Sequence, residues 1–285
     1  GRFYIPDAEE LKRETLVTSV LDAEPEQCLR VPGPTFLTFW AAAFTGGAFI
    51  FPTFHMYMAG LVSAGIALVF ILWWLWTGTA VIPEKPAKGV GLGLTLPLYA
   101  SGPKSVGWWA MFITMMGDMT AFLSLIFAYF FYWTIHPDFP PDPSPGPGVV
   151  WPVVGLAILL GAWLLTLLAR RRIALVSPGT FRLMLFCAAA AGVAGGAVLL
   201  ASPWFAGLDP TVHVYPATVW VLMIWTALHV GVGVIMHLYC VAGSFAGRLS
   251  ATHDIDIWNV ALFWHFIAFT ALVTVGVLSF FPMVA

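Results

Sequence analysis

A chain of 285 residues that is 60% apolar, 15% aromatic and only 9% charged cannot cover a water-soluble core, because a soluble domain carries about a quarter of its residues as charges. The composition is that of a polytopic membrane protein. Its net charge of -2 identifies no partner and gives no footprint for nucleic acid, since in a membrane protein the placement of charge matters and its sum does not.

In chain order, residues 1–34 come first and hold seven of the 14 acids beside Arg2, Lys12, Arg13 and Arg30. No charged start followed by an apolar run is present, so this is not a signal peptide. It reads as a polar surface segment or linker in which AEELKRETLVTSVLDAEPE forms a short surface helix before Pro25. The start at Gly1, without an initiator Met, points to a piece of a longer polypeptide. Residues 35–285 then form the membrane domain, with apolar spans at about 35–52, 56–82, 108–135, 150–169, 182–201, 217–247 and 257–282. Helices are the economical reading, because open strands in lipid leave peptide groups unpaired. The fold expected is all-α: seven transmembrane helices, arranged as a two-helix hairpin across the short FPTFH connection and a five-helix bundle, with a lipid cleft between the two parts. The Pro-rich stretch at 137–147 reads as an extended surface connector.

All twelve Lys and Arg fall in the N-terminal segment, the 83–107 loop (Lys85, Lys88, Lys104), at Arg170, Arg171, Arg172 and Arg182, and at Arg248. With seven spans, these positions share one side. The positive-inside rule then puts the N-terminus in the cytoplasm and the C-terminus outside.

Few residues are chemical candidates. Asp118 sits well inside the third span, where an ionised group costs at least about 2.5 kcal/mol and calls for a partner; the plainer alternative is a protonated carboxyl bonded to a carbonyl one turn away. In the sixth span Thr226, His229, Gly233 and His237 share about 80° of helix arc, a face turned to other helices. The two histidines are about 12 Å apart in rise, too far to share a metal ion, and polar packing is the plainer role. His265 lies in the seventh span beside Trp264 and is counted with Asp118, His229, His237 and Thr226 as a buried polar or proton-related candidate. Depth along the helices pairs Asp118 with His237, with His229 and Thr226 left open. Lipid-binding candidates are Lys104, Arg182 and Arg248, whose charges suit phosphate, with Trp108, Trp109 and Trp264 as aromatic neighbours. Cys28, Cys187 and Cys240 form no CxxC and read as free thiols, and no metal site is expected.

The run MFITMMGDMTAFLSLIFAYFFY resembles the third helix of haem-copper (cytochrome c) oxidase subunit III, and LHVGVG and FWHF, with 36 residues from His229 to His265, resemble that family's later motifs. The likeness spans residues 35–285. RETLVTSVLDAEPE and PLYASGPKSVGWW are similar to the linker and subunit III part of bacterial polypeptides that fuse subunits I and III. Three positions depart from the pattern: Asp118 stands where Glu is usual, Thr226 where a second His is frequent, and Ala268 where Asp is common. The resemblance implies a subunit without redox centres in the aerobic respiratory chain of a bacterial inner membrane, with haem and copper in partner subunits. It would bind phospholipid, stabilise subunit I, and support proton uptake and translocation. Its other partners would be subunit II and, through the partner subunits, cytochrome c or quinol. It also points from Asp118 to His229. A small secondary transporter using Asp118 and the span-six polar residues, or an accessory subunit of nitric oxide reductase, are the alternatives. Internal repeats and mid-depth helix breaks, the marks of a transporter, are not found.

Overall fold

A computed structural model describes residues 13–78, 82–83, 85–141 and 146–284. The expectations that rest on residues 1–12, on 79–81 and 84, and on 142–145 of the Pro-rich connector lie outside these. The chain divides into two compact units, Gly1–Ala100 and Ser101–Ala285.

In the first unit, the surface helix expected before Pro25 is replaced by an antiparallel hairpin of β1 (Arg13–Thr18) and β2 (Pro25–Val31). The reason is local. Thr15, Val17 and Thr18 are β-branched and stiff at χ1, and Glu14 and Leu16 alternate with exposed Arg13 and Thr15 at the strand period of two. A second small hairpin, β3 (Ala87–Gly89) with β4 (Thr95–Pro97), turns through Gly91, Leu92 and Gly93, all at positive φ. Cys28, Val90, Leu96 and Leu98 form the core shared by the two hairpins, with Leu16 and Leu94 against it. The Glu14 side chain is 2% exposed and accepts from Lys88 Nζ at 2.6 Å and Arg30 Nε at 3.3 Å. Burial, and then the Glu14 carboxylate, push the Cys28 thiol pKa up.

The same unit carries α1 (Leu37–Thr53) and α2 (Tyr57–Gly78) as an antiparallel pair. Small residues let them touch. The Ser63 hydroxyl donates to the Phe44 carbonyl at 2.8 Å, and a Cβ at Gly60 would lie 2.8 Å from Pro52 Cγ. Phe44 and Phe70 stack at 5.7 Å between centroids.

The second unit holds α3 (Val106–Ile135), α4 (Val150–Arg172), α5 (Pro178–Phe205), α6 (Val214–Phe245) and α7 (Ile255–Val275). Several helices run longer than their apolar stretches predict, because polar caps extend them. Ser105 and Ser177 accept backbone N–H groups at the starts of α3 and α5, and Pro178 follows Ser177 in the first turn. The cap at Ser177 brings Arg182 inside α5, and α7, which starts at Ile255, takes in Asp256. Beyond α7 the chain widens into a π turn at 276–280, next to Pro282, which has no N–H to continue the ladder. α4 packs on α5 and α7, α6 on α5 and α7, and α3 on α7 and α6.

Close approach of backbones explains the α4–α5 contact. A Cβ at Gly155 would stand 3.1 Å from the Gly195 carbonyl, and one at Gly195 would stand 3.0 Å from that of Gly155. Trp264 of α7 fills a hole between α5 and α6: a Cβ at Gly192 would be 3.0 Å from its ring and one at Gly233 3.1 Å from its Nε1. Among the described residues six helices, α2 to α7, are long and apolar enough to cross a membrane, while α1 is apolar but has 17 residues. The chain is a multi-pass, all-α membrane protein with two small β hairpins outside its spans.

Candidate functional site

Three helices of the second unit bring the polar residues of the spans together. α3 contributes Asp118, α6 contributes His229, and α7 supplies Phe263 and Phe266. Asp118 Oδ2 lies 3.7 Å from His229 Nε2, with side-chain exposures of 38% and 14%. The His229 ring packs on Trp225 at 4.6 Å, on Phe266 at 5.3 Å and on Phe263 at 6.2 Å.

The tautomer of His229 follows from its other nitrogen. Nδ1 is 2.8 Å from the Trp225 carbonyl, and a carbonyl can only accept, so Nδ1 carries a proton. In the neutral ring Nε2 is then a bare lone pair facing the carboxyl. The two groups attract only when one proton is held between them, as carboxylic acid beside imidazole or as carboxylate beside imidazolium. At 3.7 Å they are past hydrogen-bond length. The chemistry available is storage or transfer of one proton on a face that is half open at the surface of this unit.

The pairing by depth, Asp118 with His237, is corrected. Depth counts rise along each helix and ignores rotation, and the eight residues between the histidines turn the helix by about 80°. His237 is fully buried towards α4 and α7: its Nε2 is 2.8 Å from Thr166 Oγ1 and its ring stacks on Trp264 at 4.9 Å. The Thr166 hydroxyl already donates to the Ala162 carbonyl at 2.7 Å, so His237 donates through Nε2 and its buried Nδ1 is left without a partner. Thr226 is also fully buried; it donates to the Leu222 carbonyl at 3.0 Å and meets Thr274 at 3.2 Å. Neither contact involves Asp118.

Two further expectations change. His265 is exposed and not buried, because the helical turn carries it away from Trp264 to the α4 side, where its Nδ1 accepts from Trp163 Nε1 at 3.0 Å. Trp264 is 0% exposed, so it cannot face lipid; the glycines of α5 and α6 draw it into the core. The other lipid candidates are placed as follows. Lys104 is exposed. Trp109 is half exposed and donates to the Pro103 carbonyl at 2.9 Å, and Trp108 stacks on Phe112 at 5.6 Å. The Arg182 guanidinium binds the Ser244 hydroxyl and carbonyl, each at 3.0 Å, and covers the Phe245 ring. It thereby closes the end of α6. Arg248 follows that end, its N–H donating to the Gly243 carbonyl at 2.8 Å.

Sequence reading missed one seam. On antiparallel α4 and α7, Trp163 meets His265 and Arg170 lies over the Trp258 ring at 4.3 Å. The signal was present as two matched seven-residue spacings, Trp163 to Arg170 and Trp258 to His265. Among the described residues no three His, Cys, Asp or Glu side chains group closely enough to hold a metal ion. Compared with known proteins, the chain matches no family profile and no curated protein at a significant level.

Proposed function

We propose that the chain is the non-redox subunit III of a respiratory haem-copper oxidase in a bacterial inner membrane, with its N-terminus cytoplasmic. One observation carries the reading. The three segments that resemble the family's motifs, far apart in sequence, meet at one point: Asp118 of GDMTAF and His229 of LHVGVG at 3.7 Å, with Phe263 and Phe266 of FWHF against the His229 ring. A chance resemblance in three short motifs has no reason to bring an acid, a histidine and two phenylalanines of those motifs together.

On this reading α1 is a seventh span. Its 17 residues rise about 25 Å, a shortfall that local bilayer thinning accommodates at modest cost. Subunits I and II are the partners; haem and copper belong to them, and electrons arrive through them from cytochrome c or quinol. The chain's own work is to hold phospholipid in a cleft, to stabilise subunit I, and to keep protons available near the Asp118–His229 pair. Asp118 here exchanges a proton with His229 and bears on supply, without touching the oxygen chemistry.

The test is purification of the full chain from its native membrane in mild detergent. A reduced-minus-oxidised haem spectrum that travels with the chain, together with haem-ligating subunits by mass spectrometry, is the expected result. A colourless protein with no such partners overturns the assignment. A reading frame running upstream of Gly1 into a haem-ligating subunit would add the fusion.

A further inference from the structure

The turn between α1 and α2 reads His55-Met56-Tyr57-Met58, which puts an imidazole and two soft thioethers within four consecutive residues. His55, Met56 and Met58 are all exposed, the methionines at 52% and 73%. With Tyr57 and Ala59 they line one open cavity of about 330 Å³.

His55 sits at φ 61°, a left-handed conformation that helix ends ordinarily give to glycine. Its N–H donates to the Pro52 carbonyl and the Met56 N–H to that of Phe51, both at 3.0 Å, which pins the backbone there. An imidazole has thus been placed where a side chain is disfavoured. Its Nδ1 is 3.0 Å from Tyr57 Oη. With the proton on Nδ1 donating to Oη, Nε2 presents its lone pair, the arrangement that an outer hydrogen-bond partner gives to metal-binding imidazoles.

The pair His136 and His213, with ring centroids 5.2 Å apart, is a useful contrast. There each Nδ1 accepts a backbone N–H, from Asp138 at 3.3 Å and from Tyr215 at 3.1 Å, so each neutral ring keeps its proton on Nε2 and offers no lone pair. At the α1–α2 turn the negative end of one helix dipole meets the positive end of the next, so the field favours neither sign and the donor set decides. Two thioethers and an imidazole carry no charge. They suit a soft ion and not magnesium or calcium, which take oxygen ligands.

We propose that His55 Nε2, Met56 Sδ and Met58 Sδ form a surface site for Cu(I). The site is independent of the oxidase assignment above, because its donors lie on one turn of the first unit and need no partner subunit.

The experiment uses the full chain in detergent with Cys187→Ser as the parent, since the exposed Cys187 thiol would compete for the metal. Cu(I) kept reduced with ascorbate is titrated against bathocuproine disulfonate, with Ag(I) as a redox-inert repeat. The parent is expected to take one Cu(I) per chain, with sulfur and nitrogen scatterers in the X-ray absorption spectrum. Met56→Leu with Met58→Leu keeps size and apolarity at exposed positions and should weaken binding by at least about a hundredfold. Tyr57→Phe should cost about tenfold by freeing the ring. His55→Asn, a residue that tolerates positive φ, should also lose the ion, whereas Met116→Leu, at an exposed methionine on α3, should leave it bound. Equal affinity in the double methionine variant, or no binding by the parent, overturns the proposal.

Discussion

Between Leu37 and Gly78 two helices touch through Gly60, Ser63 and Pro52 and leave Phe49, Met58 and Leu61 bare. Between Val106 and Val275 five helices enclose Trp264, Tyr129, Phe122 and Leu159 so fully that almost none of their surface is open. The two regions have nearly the same apolar composition, so composition does not explain the difference. Partner number does. Inside the first unit α1 and α2 pack on one another along a single stripe of small residues, while inside the second α6 and α7 have neighbours on several sides and bury large side chains against glycine. In lipid the apolar surface of a lone helix is at no disadvantage, so packing depends on shape fit and hydrogen bonds.

The comparison can be broken most directly at Trp264. Trp264→Ala should destabilise the five-helix unit by about 3–5 kcal/mol, read from unfolding in mixed detergent, with the β hairpins and α1–α2 unchanged by hydrogen exchange. A loss under about 1 kcal/mol would mean that the Gly192–Gly233 hole is not a keystone. Next in size is the α4–α5 contact. Gly155→Val or Gly195→Val drives a side chain into a facing backbone carbonyl and should cost about 1–3 kcal/mol. Gly65→Ala on α2, where an added Cβ meets nothing within 4 Å, should instead stabilise slightly, since Ala is the better helix former by up to about 1 kcal/mol. Ser63→Ala removes the interhelical bond to Phe44 and should weaken the α1–α2 pair by about 0.6 kcal/mol, measured by the same unfolding assay.

Asp118→Asn sharpens the functional side of the comparison. In the oxidase proposed above, the haem spectrum should be intact and sustained turnover should fall modestly, far short of the roughly hundredfold loss that follows removal of a general acid. Complete loss of oxygen reduction with haems unchanged would make Asp118 part of an obligatory proton path. The smallest effect is at Cys28. Its folded pKa is raised above the ordinary thiol value by burial and by Glu14, so the folded thiol keeps its proton at a pH where the unfolded one has lost it. This contribution is present below pH 9 and is lost as pH rises towards the folded value. Alkylation of Cys28 should therefore need a higher pH in the folded chain than in the unfolded one, and Cys28→Ala should flatten the alkaline weakening of the β hairpins.

Much of the architecture was legible in one dimension. Hydropathy, run length and the turn at FPTFH are local quantities, and they place α1 to α7 to within a few residues, since a helix in lipid must satisfy its own backbone whatever surrounds it. Asp118 could be singled out for the same reason: an acid inside an apolar run is anomalous before any fold is known. The N-terminal segment was misread because charge and length suggested a helix, whereas Cys28, Leu16 and the later Val90 to Leu98 stretch reward a hairpin only once both are folded together.

What the tertiary structure alone decided is rotation and partner. Whether Asp118 meets His229 or His237 depends on how α3 and α6 turn about their axes, and that is set by glycines on α5 and α6 accepting Trp264 from α7. The same insertion buries Trp264, turns His265 out towards Trp163, and leaves His237 facing Thr166. Helix spacing fixes which residues share a face; only the fit of that face against its neighbours, summed over residues far apart in sequence, selects the contact.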